Sequence, residues 1–469
     1  MHSVTFVDRA GFYLFTLCVV LAPIPFGSGD AIAASLIGLV LSICLFGSIL
    51  VTMPNERAGQ LYRSGALLSS VVIAVCLAHA IPWDLMPMVD AASSNATGPV
   101  DHSSGATPRY QALYSAGYVL IPLVGFMCAL VYIRDDWRYM RFIHIVIVVN
   151  LVVTVFCVAQ HALSPRFLLW ADKQYYRDSF TGTFINPNTA ATHFGFLFIL
   201  ALSLSLRQLE RTSIHRLLFI QHKLGDRDRE QLKMLVGYGS AAFIFFLALL
   251  LTKSRGGILS TVAGVAAFIA AFAFFAFRPR FSILGTLAMS FLSLLAPIAL
   301  FTVFGERFLL RLRDQGLIEE GRICTYFSTW NAIKDGPWWG TGLGSFQDFF
   351  PAYRSSECGL HGYWEMAHSV FLEAWLGMGI FFLPCAALVY FHLIRAYGRG
   401  AVARRRYRFV PLACLGMLLL LTLHSLVDFS LQVPGFSILA AGVLGAGAAV
   451  AVGRVARQPI QQRDSSLVA

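Results

Sequence analysis

Two basic residues lie in a short turn between apolar stretches, where a membrane protein has little structural need for them. Lys253 and Arg255 belong to segment 252–257, which has the sequence TKSRGG. A guanidinium group presents a planar fork of donors that suits an anion such as a diphosphate. The glycines that follow allow close approach of a backbone. We therefore predict an anion-binding role for Arg255, with Lys253 beside it; the structural alternative is snorkelling to headgroup phosphates.

A further basic residue, Arg322, precedes apolar residues with helical spacing from Ile323 to Ile333. This spacing predicts a helix with Arg322 at its start. The glycine-rich run 340–344 follows, but no strand precedes it, which argues against a dinucleotide-binding loop. A turn of glycine and tryptophan that packs the segment on the membrane surface is the preferred interpretation.

Candidate proton-transfer residues lie further along the chain. His368 opens an apolar stretch shortly after Glu365, and histidine can take up a proton near neutral pH. The alternative for His368 is an ordinary interfacial polar group. His424 and Asp428 are spaced i, i+4, which predicts one helical face with the carboxylate orienting the imidazole. A supporting role is favoured for that pair, and Asp428 and Glu365 are reserve candidates for the base.

The segment 181–188 contains the sequence Asn186-Pro187-Asn188 at the entry to an apolar stretch. Asn caps helices and Pro stops the preceding segment, so the sequence predicts a turn followed by a helix start. The functional alternative is a short re-entrant loop in which Asn186 and Asn188 touch a glycan or a lipid headgroup.

The elements that position these residues follow from composition. The chain has 469 residues, of which 57% are hydrophobic and only 13% charged, and this excludes a disordered chain and most soluble enzymes. Apolar stretches of membrane-spanning length identify an integral membrane protein. We predict an all-α protein with twelve spans, near 10–26, 31–53, 65–83, 112–133, 142–163, 188–206, 235–252, 258–277, 281–303, 367–394, 409–425 and 434–453.

The distribution of basic residues predicts the orientation. Most of the 36 Lys and Arg residues fall in alternate connections, which places both chain termini in the cytoplasm. The net charge of +11 is then a topology signal and a contact with the cytoplasmic leaflet, and nucleic-acid binding is not predicted. The largest outside loop, 304–366, is long enough to form a small folded element containing short helices.

Cysteine usage leaves two alternatives open in that loop. Cys324 and Cys358 both lie there, and in an oxidising periplasm they could form a disulfide or remain two unpaired thiols. No cluster of Cys and His, and no acidic cluster outside, indicates a metal site. We therefore predict a metal-independent mechanism and no cofactor.

Taken in order, these motifs resemble the O-antigen ligase and O-antigen polymerase family of membrane glycosyltransferases. The resemblance covers about 180–435. It rests on GTF at 182–184, NPN at 186–188, SRG at 254–256, GR at 321–322, Pro337 with GTGLGSF at 340–346, AHS at 367–369 and HSLVDF at 424–429.

The resemblance implies a fold and a reaction. The fold is GT-C-like, and the enzyme transfers a glycan from undecaprenyl diphosphate to an acceptor sugar on the periplasmic face of the bacterial inner membrane. Arg255 and Arg322 match the family arginines that hold the diphosphate, and His368 matches the histidine at the acceptor side. The family often has Asn after this histidine, whereas this chain has Ser369.

The resemblance also implies the organisation and partners of the chain. Residues 1–163 hold the first five spans, 164–454 the ligase-like core, and 455–469 a cytoplasmic tail. The partners are the lipid-linked donor, membrane lipids, and a glycan, lipid A-core or other acceptor. Ligase, polymerase and protein glycosylation remain alternatives within the family. A polysaccharide transporter or flippase is the alternative from another class, because many such proteins have twelve spans.

Overall fold

The computed structural model of the chain describes residues 2–29, 31–51, 56–81, 110–211, 225–277, 282, 285, 320–355 and 364–453. Within these residues the chain is α-helical, apart from 3-10 turns, loops and one antiparallel pair of two-residue strands. The predicted all-α class is therefore confirmed, while the GT-C-like arrangement stays a prediction.

Long helices joined by short turns dominate the described residues, as a bilayer requires, because each backbone polar group is then paired within its own segment. In chain order the helices are α1 (His2–Leu21), α2 (Ala31–Val51), α3 (Glu56–Ala80), α4 (Gln111–Tyr132), α5 (Asp136–Leu163), α6 (Pro187–Arg211), α7 (Asp226–Leu251), α8 (Arg255–Phe277), α9 (Glu320–Asp335), α10 (Phe346–Tyr353), α11 (Val370–Met378), α12 (Phe382–Ala403), α13 (Phe409–Ser425) and α14 (Pro434–Val452). Strands β1 (Phe167–Leu168) and β2 (Ala171–Asp172) lie between α5 and α6. The 3-10 turns are Phe26–Ser28, Gly379–Phe381, Arg405–Tyr407 and Ser430–Gln432.

Nine helices among the described residues are long and apolar enough to cross a membrane. They cover Ala31–Ser48, Ala58–Ala80, Gln111–Tyr132, Asp136–Leu163, Pro187–Arg211, Asp228–Leu251, Arg255–Ala276, Val370–Ala403 and Pro434–Val452. Helix α13 is apolar but shorter, with 17 residues. The predicted span 281–303 lies outside the described residues, so the count of twelve remains a prediction.

Two predicted spans have different limits in the structure. The first helix ends at Leu21 instead of continuing to residue 26, because Pro23 and Pro25 cannot continue it. The predicted span 367–394 is interrupted at Gly379, whose φ of +57° ends α11. Helix α12 then continues to Ala403.

Helices α6 and α14 form the centre of the bundle. In their most apolar windows, 78% of α6 and 89% of α14 is buried inside the protein, against 17% for the span Val370–Ala403. Helix α14 is rich in glycine and alanine, which permits close packing of neighbouring helices where the hydrophobic effect gives little drive for association. The less buried helices are therefore the ones that face lipid.

Close backbone contact joins α8 to α13. A Cβ atom at Gly264 would lie 2.6 Å from the carbonyl oxygen of Gly416, and one at Gly416 would lie 2.7 Å from that of Gly264. Helix α6 approaches α8 as closely, since a Cβ at Gly195 would lie 2.0 Å from Oγ1 of Thr261. These contacts leave no room for larger side chains, so α6, α8 and α13 hold their ends in a fixed relation.

The glycine-rich run forms a strap, residues 336–345, that docks on the interruption between α11 and α12. The amide of Thr341 donates to the carbonyl of Leu376 at 2.9 Å, and the amide of Ile380 donates to that of Trp338 at 2.9 Å. Gly340 has a φ of +91°, and a Cβ there would lie 2.4 Å from the amide nitrogen of Gly379. The run is thus a packing turn, as predicted, and not a nucleotide loop.

Candidate active site

The turn between α7 and α8 carries Lys253 and Arg255. Ser254 lies buried between them, and its hydroxyl oxygen accepts a hydrogen bond from the amide of Gly257 at 3.2 Å. This N-cap interaction explains why α8 begins here. Arg255, the first residue of α8, is half-buried, whereas Lys253 is exposed and has a φ of +58°. The predicted tight turn between two apolar helices is confirmed.

The N-terminus of α6 meets the same turn. Oδ1 of Asn186 accepts a hydrogen bond from the amide of Asn188 at 2.7 Å, which caps the start of α6. Oδ1 of Asn188 in turn accepts from the hydroxyl of Ser254 at 2.8 Å. Two helix N-termini therefore converge, and each contributes partial positive charge from its unpaired amides. The predicted turn and helix start at Pro187 are confirmed, and this geometry favours an anion near Arg255.

A buried hydrogen-bond network connects α6 to the end of α13. Nδ1 of His424 lies 2.6 Å from Oγ1 of Thr192, which lies 2.9 Å from Oγ of Ser430. The Ser430 hydroxyl donates to Oδ2 of Asp428. All four side chains are buried, and Asp428 is completely inaccessible. The other edge of the imidazole faces α8, because a Cβ at Gly256 would lie 3.3 Å from Nε2 of His424.

The number of hydroxyl protons determines which groups in this network donate and which accept. Each hydroxyl has one proton, and the Ser430 proton is directed at the carboxylate of Asp428. The Thr192 hydroxyl donates its proton to the carbonyl of Asn188 at 3.0 Å, so its oxygen accepts from Nδ1–H of His424. This order assigns the Nδ1–H tautomer to His424 and leaves Nε2 as an acceptor.

The prediction that His424 and Asp428 share one helical face is wrong. Helix α13 ends at Ser425, so Asp428 lies in the loop beyond it and not one turn along the same helix. The two side chains are connected through the hydroxyls of Thr192 and Ser430. Oδ1 of Asp428 is buried and has no hydrogen-bond partner among the described residues.

Arg322 reaches the same loop from α9. It lies in the first turn of that helix, and its Nη1 donates to the carbonyl oxygen of Val427 at 3.1 Å. The side chain of Val427 packs on α8, since a Cβ at Gly256 would lie 3.2 Å from its Cγ2. Gly256, the residue after Arg255, thus packs on the residue whose carbonyl binds Arg322. The predicted helix Ile323–Ile333 is confirmed within α9.

His368 lies on the same side of α9 as Arg322. The hydroxyl of Tyr326, four residues after Arg322 and thus on one helical face with it, donates to the carbonyl of His368 at 3.1 Å. The imidazole packs edge-on against Trp364 and Phe429, with ring centroids 5.5 and 5.1 Å apart. His368 has a φ of +53°, which is unfavourable for a residue with a Cβ. Its position is therefore imposed by these contacts.

The residues around His368 fix its backbone. Ser369 is the N-cap of α11, with its hydroxyl accepting from the amide of Leu372 at 3.4 Å and lying 3.5 Å from the carbonyl of Ser425. Oε2 of Glu373 accepts from the amide of Ala367 at 2.9 Å. The chain on both sides of His368 is thus tied to α11 and α13. Ser369, which departs from the usual family residue, has a capping role.

Glu365 lies at the rim of the site. Its side chain is exposed, and its carbonyl accepts from Nε2 of Gln347 at 3.3 Å. Cys324, two residues after Arg322, is disulfide-bonded, so the alternative of a free thiol at this position is wrong. The predicted partner Cys358 lies outside the described residues.

Several residues that build the site are not evident from the sequence. Thr192 and Ser430 are the connecting hydroxyls, and Tyr326 and Glu373 hold the segment around His368. Spacing offers a weak signal for Tyr326, which follows Arg322 by one helical turn. The structure brings together most of the predicted residues, namely Arg255, Arg322, Asn186, Asn188, His368, His424 and Asp428, and leaves Lys253 and Glu365 exposed at the edge.

In the part of the chain that the structure describes, no group of three or more His, Cys, Asp or Glu side chains could hold a metal ion. The positive charge at the described site comes from Arg255, Arg322, Lys253 and the helix N-termini, and the carboxyl groups of Asp428 and Glu373 lie nearby. Metal independence itself remains a prediction.

The nine apolar helices and the polar site at their ends define an all-helical membrane protein. Residues 240–385 match the family model described as O-antigen ligase, and this match confirms the resemblance to the O-antigen ligase and polymerase family. The matched segment contains Arg255, Arg322 and His368. It indicates a bacterial membrane enzyme of glycosyltransferase type that acts on a lipid-linked glycan and an acceptor sugar. No curated protein matches the chain in sequence.

Proposed function

We propose that this protein transfers a glycan from undecaprenyl diphosphate to an acceptor sugar on the periplasmic face of the inner membrane, as a ligase or polymerase of O-antigen or exopolysaccharide. One observation carries the proposal. Arg322 binds the carbonyl of Val427, and Gly256 next to Arg255 packs on the same residue, beside two converging helix N-termini and on the same side of α9 as His368. A diphosphate and an acceptor hydroxyl would then lie next to each other.

The arginines and helix N-termini suit the leaving group. When the bond between the anomeric carbon and the diphosphate oxygen breaks, its electron pair remains on the diphosphate. Fixed guanidinium donors stabilise that developing charge in a site with little water. Arg255 and Arg322 serve this purpose in the proposed mechanism, with Asn186 and Asn188 holding the α6 terminus beside them. Lys253 adds positive charge at the rim.

His368 is placed to act on the acceptor. The acceptor oxygen attacks the anomeric carbon, and its proton passes to the imidazole of His368 as the new glycosidic bond forms. A single displacement of this kind inverts the anomeric configuration. His424 and Asp428 are buried and have a positioning role, because their hydrogen-bond network holds the loop that carries Val427 and Phe429. Glu365, exposed at the rim, remains the reserve candidate for the base in this mechanism.

The disulfide at Cys324 supports the periplasmic location, because disulfides form and persist in an oxidising compartment. The orientation predicted from the basic residues agrees with it. In the proposed topology the active site faces the periplasm and both chain termini lie in the cytoplasm.

The test is an envelope polysaccharide profile of a bacterial host that lacks this chain, complemented with wild type, Arg322→Ala or Lys334→Ala. Lys334 lies exposed in the last turn of the same helix and serves as a matched control. We expect wild type and Lys334→Ala to restore the profile and Arg322→Ala to fail at equal protein level. Full restoration by Arg322→Ala would contradict the diphosphate role.

The same profile separates the family branches. Lipid-linked chains that accumulate while long chains are lost from lipid A-core indicate a ligase. Single repeat units that remain attached or exported while chain length is lost indicate a polymerase. An unchanged envelope profile would favour protein glycosylation or transport instead.

A further inference from the structure

A cavity lies between α3, α12 and α14 at the end of the bundle away from the candidate active site. Its volume is about 410 Å³, which is within the range of small-molecule sites. It is lined by Gln60, Leu61, His392, Arg395, Ala396, Arg399, Ala403, Ala451 and Val452. The orientation predicted from the basic residues places this cavity at the cytoplasmic surface of the membrane.

The polar lining of the cavity is basic. Arg395 and Arg399 are spaced i, i+4 on one face of α12, and His392 lies one turn earlier on that face. Gln60 of α3 adds an amide from the opposite wall. Among the lining residues that the structure describes, none is a carboxylate. Two guanidinium groups on one wall suit a phosphate group, because each offers several donors in a fixed plane.

The rest of the cavity is apolar and closed on two sides. Nε2 of His392 lies 3.2 Å from Oγ of Ser64, a contact that joins α12 to α3 on the side towards the active site. Helices α12 and α14 touch beneath it, since a Cβ at Gly400 would lie 2.6 Å from Cβ of Ala451. A phosphate can therefore bind at the open end, with apolar atoms against the helices.

The surface next to the cavity distinguishes a lipid from a soluble anion. The span Val370–Ala403 has the smallest buried share of the nine apolar helices in the described residues, at 17%. Exposed apolar side chains continue along α12 from the cavity, including Ile394 and Phe391. Acyl chains attached to the bound phosphate would cover this surface, whereas a free phosphate or a nucleotide would leave it bare.

We propose that this cavity binds the headgroup phosphate of an anionic phospholipid from the cytoplasmic leaflet, with Arg395 and Arg399 as the phosphate ligands. Such a lipid ties α3, α12 and α14 together at the end opposite the active site. The site shares no residue with the proposed glycan-transfer machinery, so it holds or fails independently of that function.

The test measures retention of defined lipids by the purified full-length protein, using native mass spectrometry after titration with phosphatidylglycerol or phosphatidylcholine. We expect one tightly held phosphatidylglycerol and much weaker phosphatidylcholine. The double variant Arg395→Gln with Arg399→Gln should weaken phosphatidylglycerol binding about thirtyfold, on the basis of about 1 kcal/mol per basic residue near an anionic surface. Millimolar inorganic phosphate should not displace the lipid.

Two further variants keep the test decisive. The matched control Arg63→Gln with Arg405→Gln removes the same charge from exposed residues outside the cavity lining and should bind normally. Ala403→Phe fills the cavity, keeps both arginines and should lose the lipid. Equal retention of both lipids, retention by the Arg395 and Arg399 double variant, retention by Ala403→Phe, or displacement by inorganic phosphate would each overturn the proposal.

Discussion

At the end of the bundle away from the candidate active site, three arginines outside the cavity lining pair with carboxylates. Asp8 of α1 contacts Arg134 at 2.7 Å and also pairs with Arg138, and Asp136 pairs with Arg404. Arg134 lies in the loop between α4 and α5, Arg138 lies in α5, and Arg404 directly follows α12, so each pair joins segments that are distant in sequence. These ion pairs therefore hold α1, α5 and the end of α12 together.

At the active-site end, the described arginine contact is of another kind. Arg322 donates to the carbonyl of Val427, a bond that neutralises no charge, and Arg255 opens α8 where another helix N-terminus converges. The comparison teaches that the same residue type joins helices through carboxylates at one end of the bundle and, beside converging helix N-termini, suits an anionic ligand at the other.

The largest expected effect comes from removing one arginine at each end of the bundle and comparing the two variants. Arg255→Ala should lower glycan transfer about 10²–10³-fold, the usual cost of one donor to a developing negative charge, with little change in thermal stability. Arg138→Ala should do the opposite, with a lower melting temperature and normal transfer by the folded fraction. Both variants are compared by transfer rate and thermal unfolding in detergent. If glycan transfer were unchanged in Arg255→Ala, the proposed role of Arg255 in binding the diphosphate would be wrong.

The next effect concerns Asp8. Asp8→Ala leaves Arg134 and Arg138 without their shared carboxylate, so we expect a loss of about 3 kcal/mol in stability, typical for breaking a buried ion pair. Resistance to denaturing detergent measures this loss. Asp172→Ala, in the short strand β2, provides the control and should behave as wild type. A stable Asp8→Ala protein would show that this end does not depend on its ion pairs.

A smaller effect tests the contact that connects the two ends. Gly416→Ala places a methyl group 2.7 Å from the carbonyl of Gly264, and helices α8 and α13 must separate to accept it. We expect about 2 kcal/mol of lost stability, as for other overpacked sites. At Gly398, where a Cβ would meet nothing within 4 Å, the same substitution should be neutral or slightly stabilising. Thermal unfolding of the two variants side by side decides the point.

The smallest effect sharpens the site end. Thr192→Val removes the hydroxyl between His424 and Ser430, and we expect transfer to fall about tenfold because the Val427 loop loses part of its support. Thr422→Val in α13 also removes a hydroxyl, one that contacts Tyr390 at 2.8 Å, but it lies outside this network. Transfer rates normalised to folded protein should separate the two. Equal activity of both valine variants would remove the network from the proposed mechanism.

Local patterns in the sequence predict the starts of elements well. The α6 start at Pro187 follows from the capping residue Asn186, and the turn at 252–257 is predicted too, although α8 already begins at Arg255 and not at the predicted residue 258. Helix α9 follows from apolar spacing alone. These predictions succeed because the determining interactions are between residues close in sequence.

The network around His424 could not be predicted in the same way. Its connections join residues 232 and 238 positions apart, and only tertiary packing brings them together. The i, i+4 spacing of His424 and Asp428 misled because nothing in that pattern reveals that α13 stops at Ser425. The interruption of the predicted span at Gly379 could not be predicted either, because the positive φ of this residue is imposed by the strap that docks on it.

The strap of residues 336–345 has a consequence for evolution and engineering. It is attached through main-chain hydrogen bonds and glycine contacts, while the indoles of Trp338 and Trp339 are 65% and 43% exposed. Apart from the contact of the Trp338 ring with Phe381, at a centroid distance of 6.1 Å, the attachment does not depend on the identity of those outward side chains. This surface can therefore accumulate substitutions, or accept designed ones, while Gly340 and Gly379 keep the segment in place beside α11.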